Sequence, residues 1–169
     1  LWSLVKQLHQ NDTQRQIDSF SLTAGNRSAR EAYLSSLKNM DPLSEFAEML
    51  PADNEWEPNG MNGNFKQQAQ FTIAAFKAGV SATADLSQGG FDSHEDNDSE
   101  QTTNLNELTS GIDYLWEAAE EAGIADRLLV IVGSDFSRTP YYNSAQGKDH
   151  WPVGSYIIME KGKRYTNRY

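Results

Sequence analysis

The chain has no cysteine. Disulfide staples and thiolate zinc sites are therefore excluded, and any metal ion must be held by histidine, carboxylate or backbone oxygen. Histidine is scarce as well. Imidazole ligands can come only from His9, His94 and His150. No apolar run approaches the ~18 residues that span a bilayer, so membrane insertion is not expected. Basic charge is thin: 14 Lys and Arg face 24 Asp and Glu, a formal net charge of -10. The densest basic stretch, KGKRYTNR from Lys161 to Arg168, sits at the end of the chain. Such a molecule repels phosphate backbones, and nucleic acid is not an expected partner. No secretory signal opens the sequence. The first residue is Leu1 rather than Met, so the chain is expected to be a piece of a longer protein, with the missing N-terminal part of the same chain as its first partner.

What is present divides into three stretches. Residues 1–50 are polar and helical in pattern. Leu1, Leu4, Val5 and Leu8 share one helical face, Ala29, Ala32, Tyr33 and Leu37 another, and a short helix is expected from Pro42 to Leu50 behind an Asp41 cap. Residues 51–64, PADNEWEPNGMNGN, are rich in Pro, Gly and Asn and read as a loop. Residues 65–169 have an α/β texture. A helix over Phe65–Lys77 carries Phe65, Ala69, Thr72, Ile73 and Phe76 on one side and stops at Gly79. Val80–Leu86 reads as a strand. A strong helix is expected over Leu105–Ala122, with Asn104 and Glu107 as a capping box and Gly123 as the stop. RLLVIVG, Arg127–Gly133, is continuous enough to be a strand buried on both faces, and Ser155–Met159 is a further strand. This order predicts an α/β fold with a largely parallel sheet flanked by helices, preceded by the helical segment. In such sheets ligands bind in loops beyond the carboxyl ends of strands, so the polar loops should lie at one edge.

Three loops carry residues with metal or anion chemistry. In GGFDSHEDNDSE, Asp92 and His94 are two residues apart and point the same way in an extended segment. A carboxylate and an imidazole together suit zinc, manganese or iron; the alternative is a solvated acidic turn. An EF-hand is not supported, because Asn97 replaces the required glycine and Thr103 the bidentate glutamate. In VGSDFSRTP, Asp135 follows the expected strand, and Arg138 can bind an anionic substrate or orient that carboxylate; the alternative is a surface pair. In GKDHWP, His150 is either a ligand or a loop histidine packed beside Trp151, with Asp149 before it. His9, on an amphipathic helix, reads as a surface residue.

AAFKAGVSATADLSQGGFDSHEDN, LWEAAEEAGIADRLLVIVGSDFSRTP and GKDHWPVGSYIIM, in that order, resemble the bacterial domain-of-unknown-function family fifteen-oh-one (DUF1501). Its usual forms of the three motifs are Gly-Gly-Trp-Asp-Thr-His, Ser-Glu-Phe-Gly-Arg-Thr-Pro and Asp-His. The resemblance runs from about Phe65 to Tyr165. It implies remote membership of the alkaline phosphatase and sulfatase superfamily, and a divalent metal cofactor: zinc first, with manganese, calcium or magnesium as alternatives. By that resemblance Asp92, His94 and His150 would hold one metal and Asp135 a second. Arg138 and Lys148 would meet a small anionic ester substrate. Phe136 stands where the superfamily often has histidine, which costs the second metal a ligand. The nucleophile and a further Asp would precede this chain, so the chain by itself is expected to be inactive. The expected activity of the whole protein is hydrolysis of phosphate or sulfate esters, and its expected location periplasmic or exported, since family members often carry a twin-arginine signal. The competing expectation is a non-catalytic exported binding or assembly module with a vestigial or structural metal site.

Overall fold

The computed structural model describes residues 40–162, together with four isolated helical positions, Asn11, Arg15, Glu31 and Ser35. The helices expected over Leu1–Gln10 and Arg27–Asn39, and His9, lie otherwise outside the described residues. The chain divides into two compact units between Glu45 and Phe46. In the first unit, besides those four positions, residues 40–45 are described, and they form the start of helix α1, Met40–Met49. Asp41 therefore lies in the first helical turn rather than capping it.

The second unit is built on two helices. α2 spans Phe65–Lys77 and α3 spans Asn97–Glu121. Both end as the sequence predicts, at glycines in the left-handed region: Gly79 and Gly123 each have φ +71. The helices meet through small residues. Ala69 and Ala119 are wholly buried, and with Ile73, Leu115, Ile124 and Ala125 they form the core. Phe76, Leu86, Tyr114, Trp116 and Val130 close around it.

Beyond α3 a short 3-10 turn, Ala125–Arg127, leads into strand β1, Leu129–Gly133. Strands β2, Ser137–Arg138, β3, His150–Trp151, and β4, Tyr156–Glu160, follow. β1 pairs with β4 from Leu129↔Glu160 to Gly133↔Tyr156, and β2 with β3 through Ser137↔Trp151 and Arg138↔His150. The fold is thus mixed helix and strand, but both pairings are antiparallel, and no parallel sheet forms among the described residues. The reason lies in the connection. A parallel return needs a crossover, usually a helix, and residues 134–155 contain only the β2–β3 loop pair.

Two strand expectations change as well. Val80–Leu86 forms no strand: it bends at Val80 and Ala82 and joins no sheet. β1 is covered on one face only: Val130 and Val132 turn inward, while Leu129 and Ile131 are exposed beside Ile158 and Tyr156 of β4. An apolar run fixes strand character; it does not by itself supply a second covering layer.

Candidate metal centre

The site begins with polar residues on a helix. α3 starts eight residues earlier than its apolar stripe predicts, because its first two turns carry amides where an amphipathic helix carries Leu or Ile. Asn97, Gln101 and Asn104 are spaced by four and three, which puts them on one face. Asn97 Oδ1 accepts from the hydroxyl of the fully buried Ser93 at 2.8 Å. Gln101 Nε2 donates to Ser93 Oγ at 2.9 Å and to the Phe91 carbonyl at 3.3 Å. Asn104 donates to the Gly90 carbonyl. Together the rungs pin Gly90, Phe91 and Ser93 on either side of Asp92, and Gly90, whose φ of +89 is open to glycine, makes the sharp entry to the loop. Asn104 is therefore a buried loop anchor and not an N-cap. Glu107, its supposed capping partner, accepts from the backbone N–H of Met61 at 2.7 Å.

A second loop is laced to the first by backbone bonds. Asp96 N donates to Ala145 O at 3.3 Å, Asn97 N to Gln146 O at 3.0 Å, and Lys148 N to Ser93 O at 2.9 Å. A third segment joins through β2–β3 and through Thr139 N, which donates to Asp149 O at 2.9 Å. The three motif loops thus meet, as the sequence predicts.

Where they meet, three ligand-type atoms converge. Asp92 Oδ1 lies 3.0 Å from His94 Nε2 and 3.6 Å from His150 Nε2, and the two Nε2 atoms are 3.2 Å apart. Two ligands about 2.1 Å from one tetrahedral ion are separated by about 3.4 Å, so these spacings are those of one face of such a polyhedron. The side chains of Asp92, His94 and His150 are 75%, 44% and 56% exposed, which leaves the cluster open to a further ligand. The Phe136 ring, 4.2 Å from that of His150, supports the imidazole from behind.

Arg138 sits beside the cluster with every donor used. Nε donates to Phe91 O at 3.2 Å. One terminal nitrogen reaches Phe91 O at 3.0 Å and Asp92 Oδ1 at 2.5 Å. The other reaches Lys148 O at 3.2 Å and His94 Nε2 at 3.3 Å. The guanidinium clamps two loops and a ligand carboxylate. Lys148 is turned elsewhere, its ammonium 4.8 Å from the centre of the Tyr142 ring. Asp135 is exposed, makes no hydrogen bond or ion pair among the described residues, and is not among the three converging groups. A candidate second-metal ligand is thus not assembled with the others: Ser134 bonds its own loop through Phe136 O, and the chain then turns Phe136, not Asp135, toward His150. Sequence reading passed over Gln101 and Asn143 and gave Asn97 and Asn104 no part in the site. For the three helix residues the legible signal was an amide stripe in helical register with Gly111, Leu115 and Ala119.

Electrostatics follow the contacts. The Arg138 guanidinium, with His94 adding to it, holds the Asp92 carboxyl below the usual carboxylate range. Asn143 and then His94 do the same for Asp149. The Tyr142 hydroxyl, bonded to Asp98 at 2.8 Å, lowers that carboxyl and is itself raised by it. These carboxylates are depressed in the folded state, so their contribution is complete above the unfolded value of about 4 and is lost as pH falls through the lower folded values. The expected result is a melting temperature that declines on acidification below about pH 4, with carboxyl carbon titrations of Asp92, Asp98 and Asp149 by NMR centred below the ordinary carboxylate value. Midpoints at or above that value would show that the contacts are not made.

A family model described as protein of unknown function (DUF1501) matches residues 3–162. The chain belongs to this family. No curated protein and no solved structure matches it. All three loops of this DUF1501 chain, with Asp92, His94 and His150, lie within the matched span. Among the described residues, no helix of this DUF1501 chain is long and apolar enough to cross a membrane.

Proposed function

We propose that Asp92, His94 and His150 hold a divalent metal ion, zinc first, and that the site serves hydrolysis of phosphate or sulfate esters in an exported protein related to the alkaline phosphatase and sulfatase superfamily. The observation that carries the metal reading is the approach of one carboxylate oxygen and two imidazole nitrogens to within 3.6 Å of one another, on a chain with no thiol to compete. Two imidazoles and one carboxylate are a ligand set suited to zinc with a position left for water or substrate. Bound there, the metal supplies Lewis-acid polarisation of an ester oxygen and a lowered pKa for the attacking group. The chain's own residues hold that arrangement. Arg138 fixes Asp92, the α3 amides fix the loop that carries Asp92 and His94, and Phe136 backs His150. The -10 charge of the molecule favours cation capture and disfavours an anionic substrate until that charge is offset.

A second reading has an observation of its own. Asp135, the expected ligand of a second metal, stands outside the cluster. A single site of this kind favours a structural metal in a non-catalytic binding or assembly module.

Calorimetric titration with zinc separates the possibilities. Wild type takes up one equivalent, and His94→Ala and His150→Ala each lose more affinity than the roughly 10–100-fold typical of outer partners. Absence of uptake, with no change in melting temperature on chelation, removes the metal reading. Uptake without turnover of aryl phosphate or sulfate by the full-length protein selects the module.

A further inference from the structure

We propose that the cleft beside Asp92 binds an uncharged, hydroxyl-rich group, the alcohol half of the ester that the metal site would hydrolyse. This names a substrate class and so rests on the function proposed above, while its primary observable belongs to the metal-free chain.

The cleft has a volume of about 480 Å³, inside the range of about 300–1,000 Å³ usual for small-molecule sites. Its walls come from three segments. α3 contributes Ser99, Glu100 and Thr103, the chain at 61–62 contributes Met61 and Asn62, and the first motif loop contributes Asp92. Hydrogen bonds hold the 61–62 segment against the helix. Glu107 accepts from Met61 N at 2.7 Å and from Asn62 N at 3.4 Å, and Asn62 Nδ2 donates to Oδ1 of the buried Asn104 at 2.6 Å. The cleft is thus preformed. Asp92 belongs both to it and to the cluster, so a molecule seated there abuts the metal position.

The lining selects the chemistry. Among the described residues that line the cleft there is no Lys or Arg and no aromatic ring. An anion finds no partner there, and a nucleobase or aryl group finds nothing to stack on. What the cleft offers is hydrogen-bonding capacity not yet used. The Ser99 hydroxyl and the Glu100 carboxylate make no hydrogen bond among the described residues. Thr103 Oγ1 donates to Ser99 O at 3.1 Å and keeps its lone pairs. The contacts of Asp92 with Arg138, His94 and His150 all run through Oδ1, which leaves Oδ2 for a ligand. Carboxylates only accept, whereas hydroxyls donate and accept, so a group bearing several hydroxyls matches this set. Met61, 79% exposed, adds an adaptable apolar side for the carbon skeleton between them. An amine is the rival for the two carboxylates. Arg138 stands against it, because its guanidinium already lies 2.5 Å from Asp92 Oδ1 and repels a second cation at that end.

The test uses the full chain, labelled with nitrogen-15 and free of metal. It is titrated with glycerol, myo-inositol and glucose as polyols, with putrescine as an amine, and with inorganic sulfate as an anion. At least one polyol is expected to give saturable amide shifts centred on Asn62, Ser99, Glu100 and Thr103, where putrescine and sulfate give none. Glu100→Ala should weaken that polyol by about tenfold or more, as loss of a hydrogen bond to a charged group does, and Thr103→Phe should abolish its binding by filling the cleft. Glu117→Ala, the same change at an exposed position further along α3, leaves it unchanged. Three results overturn the inference: no saturable shift with any polyol, shifts at these residues with putrescine or sulfate instead, or polyol binding that Glu100→Ala and Thr103→Phe leave intact. If wild type takes up no zinc, the function proposed above fails, and the polyol titration of the metal-free chain still decides what the cleft binds. That titration needs no variant to fold.

Discussion

Gly147→Ala is expected to take the site apart. Gly147 is buried where the 145–149 loop crosses the first motif loop, and a Cβ there would overlap the carbonyl group of His94 and crowd Glu95 N. These are backbone atoms, and they cannot rotate aside. The His94 carbonyl is held by Asn143, as are Gly147 N and, through Asn143 N, the Gly147 carbonyl. The loops must separate, and the bonds from Asp96, Asn97 and Lys148 that lace them are strained or lost together. Overpacking of this kind costs about 1–3 kcal/mol, and each lost hydrogen bond adds about 0.5–1.5 kcal/mol. A loss of about 3 kcal/mol or more lowers Tm by roughly 6–12 °C in a chain of this size. Separation of the loops also carries His150 away from His94, so zinc affinity falls with it. Gly154→Ala is the matched control, because its Cβ would meet only Ser134 O, at 3.5 Å, an ordinary contact. Equal melting temperatures and zinc affinities for Gly147→Ala and wild type would sink the account of how the loops are joined.

The second large effect lies in the core. Leu115 is 4% exposed between α2 and α3, packed with Ala69, Ile73 and Ala119. Truncation to alanine there removes buried methyl groups and leaves a cavity that two helices already in close contact cannot collapse to fill, a cost of about 2–5 kcal/mol. Denaturant melts should show the midpoint shifted with an unchanged slope. Leu105→Ala makes the contrast. Leu105 belongs to the same sequence stripe but is 48% exposed, since the helix face that packs at that level is the one bearing Asn104. Its truncation should stay within about 0.5 kcal/mol of wild type, as surface changes do. Comparable losses in the two variants would mean that the N-terminal half of α3 packs through its leucines and not its amides. The folded fraction of Leu115→Ala should still bind zinc normally. The loop anchors at residues 97–104 are separated from position 115 by about 16 Å or more along the helix.

Much of this architecture is legible before any coordinates. α2 could be placed to the residue because its apolar period, and the glycine that ends it, are local signals. The end of α3 and the β1 and β4 segments were placed to within one or two residues, since their apolar runs admit little else. The start of α3 was not legible by the same rule, since Asn97, Gln101 and Asn104 keep helical spacing without hydrophobicity. Hydrophobic pattern sees burial against apolar partners. It does not see a helix face satisfied by the carbonyls and hydroxyl of a loop. Strand direction was hidden for a related reason. Whether β1 and β4 run parallel depends on whether their connection forms a crossover helix, and nothing within either strand encodes that.

The site divides along the same line. Residue types settle which groups can ligate a metal: with no cysteine and three histidines, Asp92 and His94 in one loop and His150 in another stand out. Tertiary structure alone decides which candidates meet. Asp135 and Lys148 are as suitable chemically as Asp92 and Arg138, but Asp92 and Arg138 stand at the cluster, while Asp135 is not among its converging groups and the Lys148 ammonium lies over the Tyr142 ring. It also assigns Arg138 to clamping. Sequence fixes which chemistry a side chain can perform. Direction and distance, on which ligation depends to within tenths of an ångström, arise only when segments far apart in the chain are hydrogen-bonded into one place.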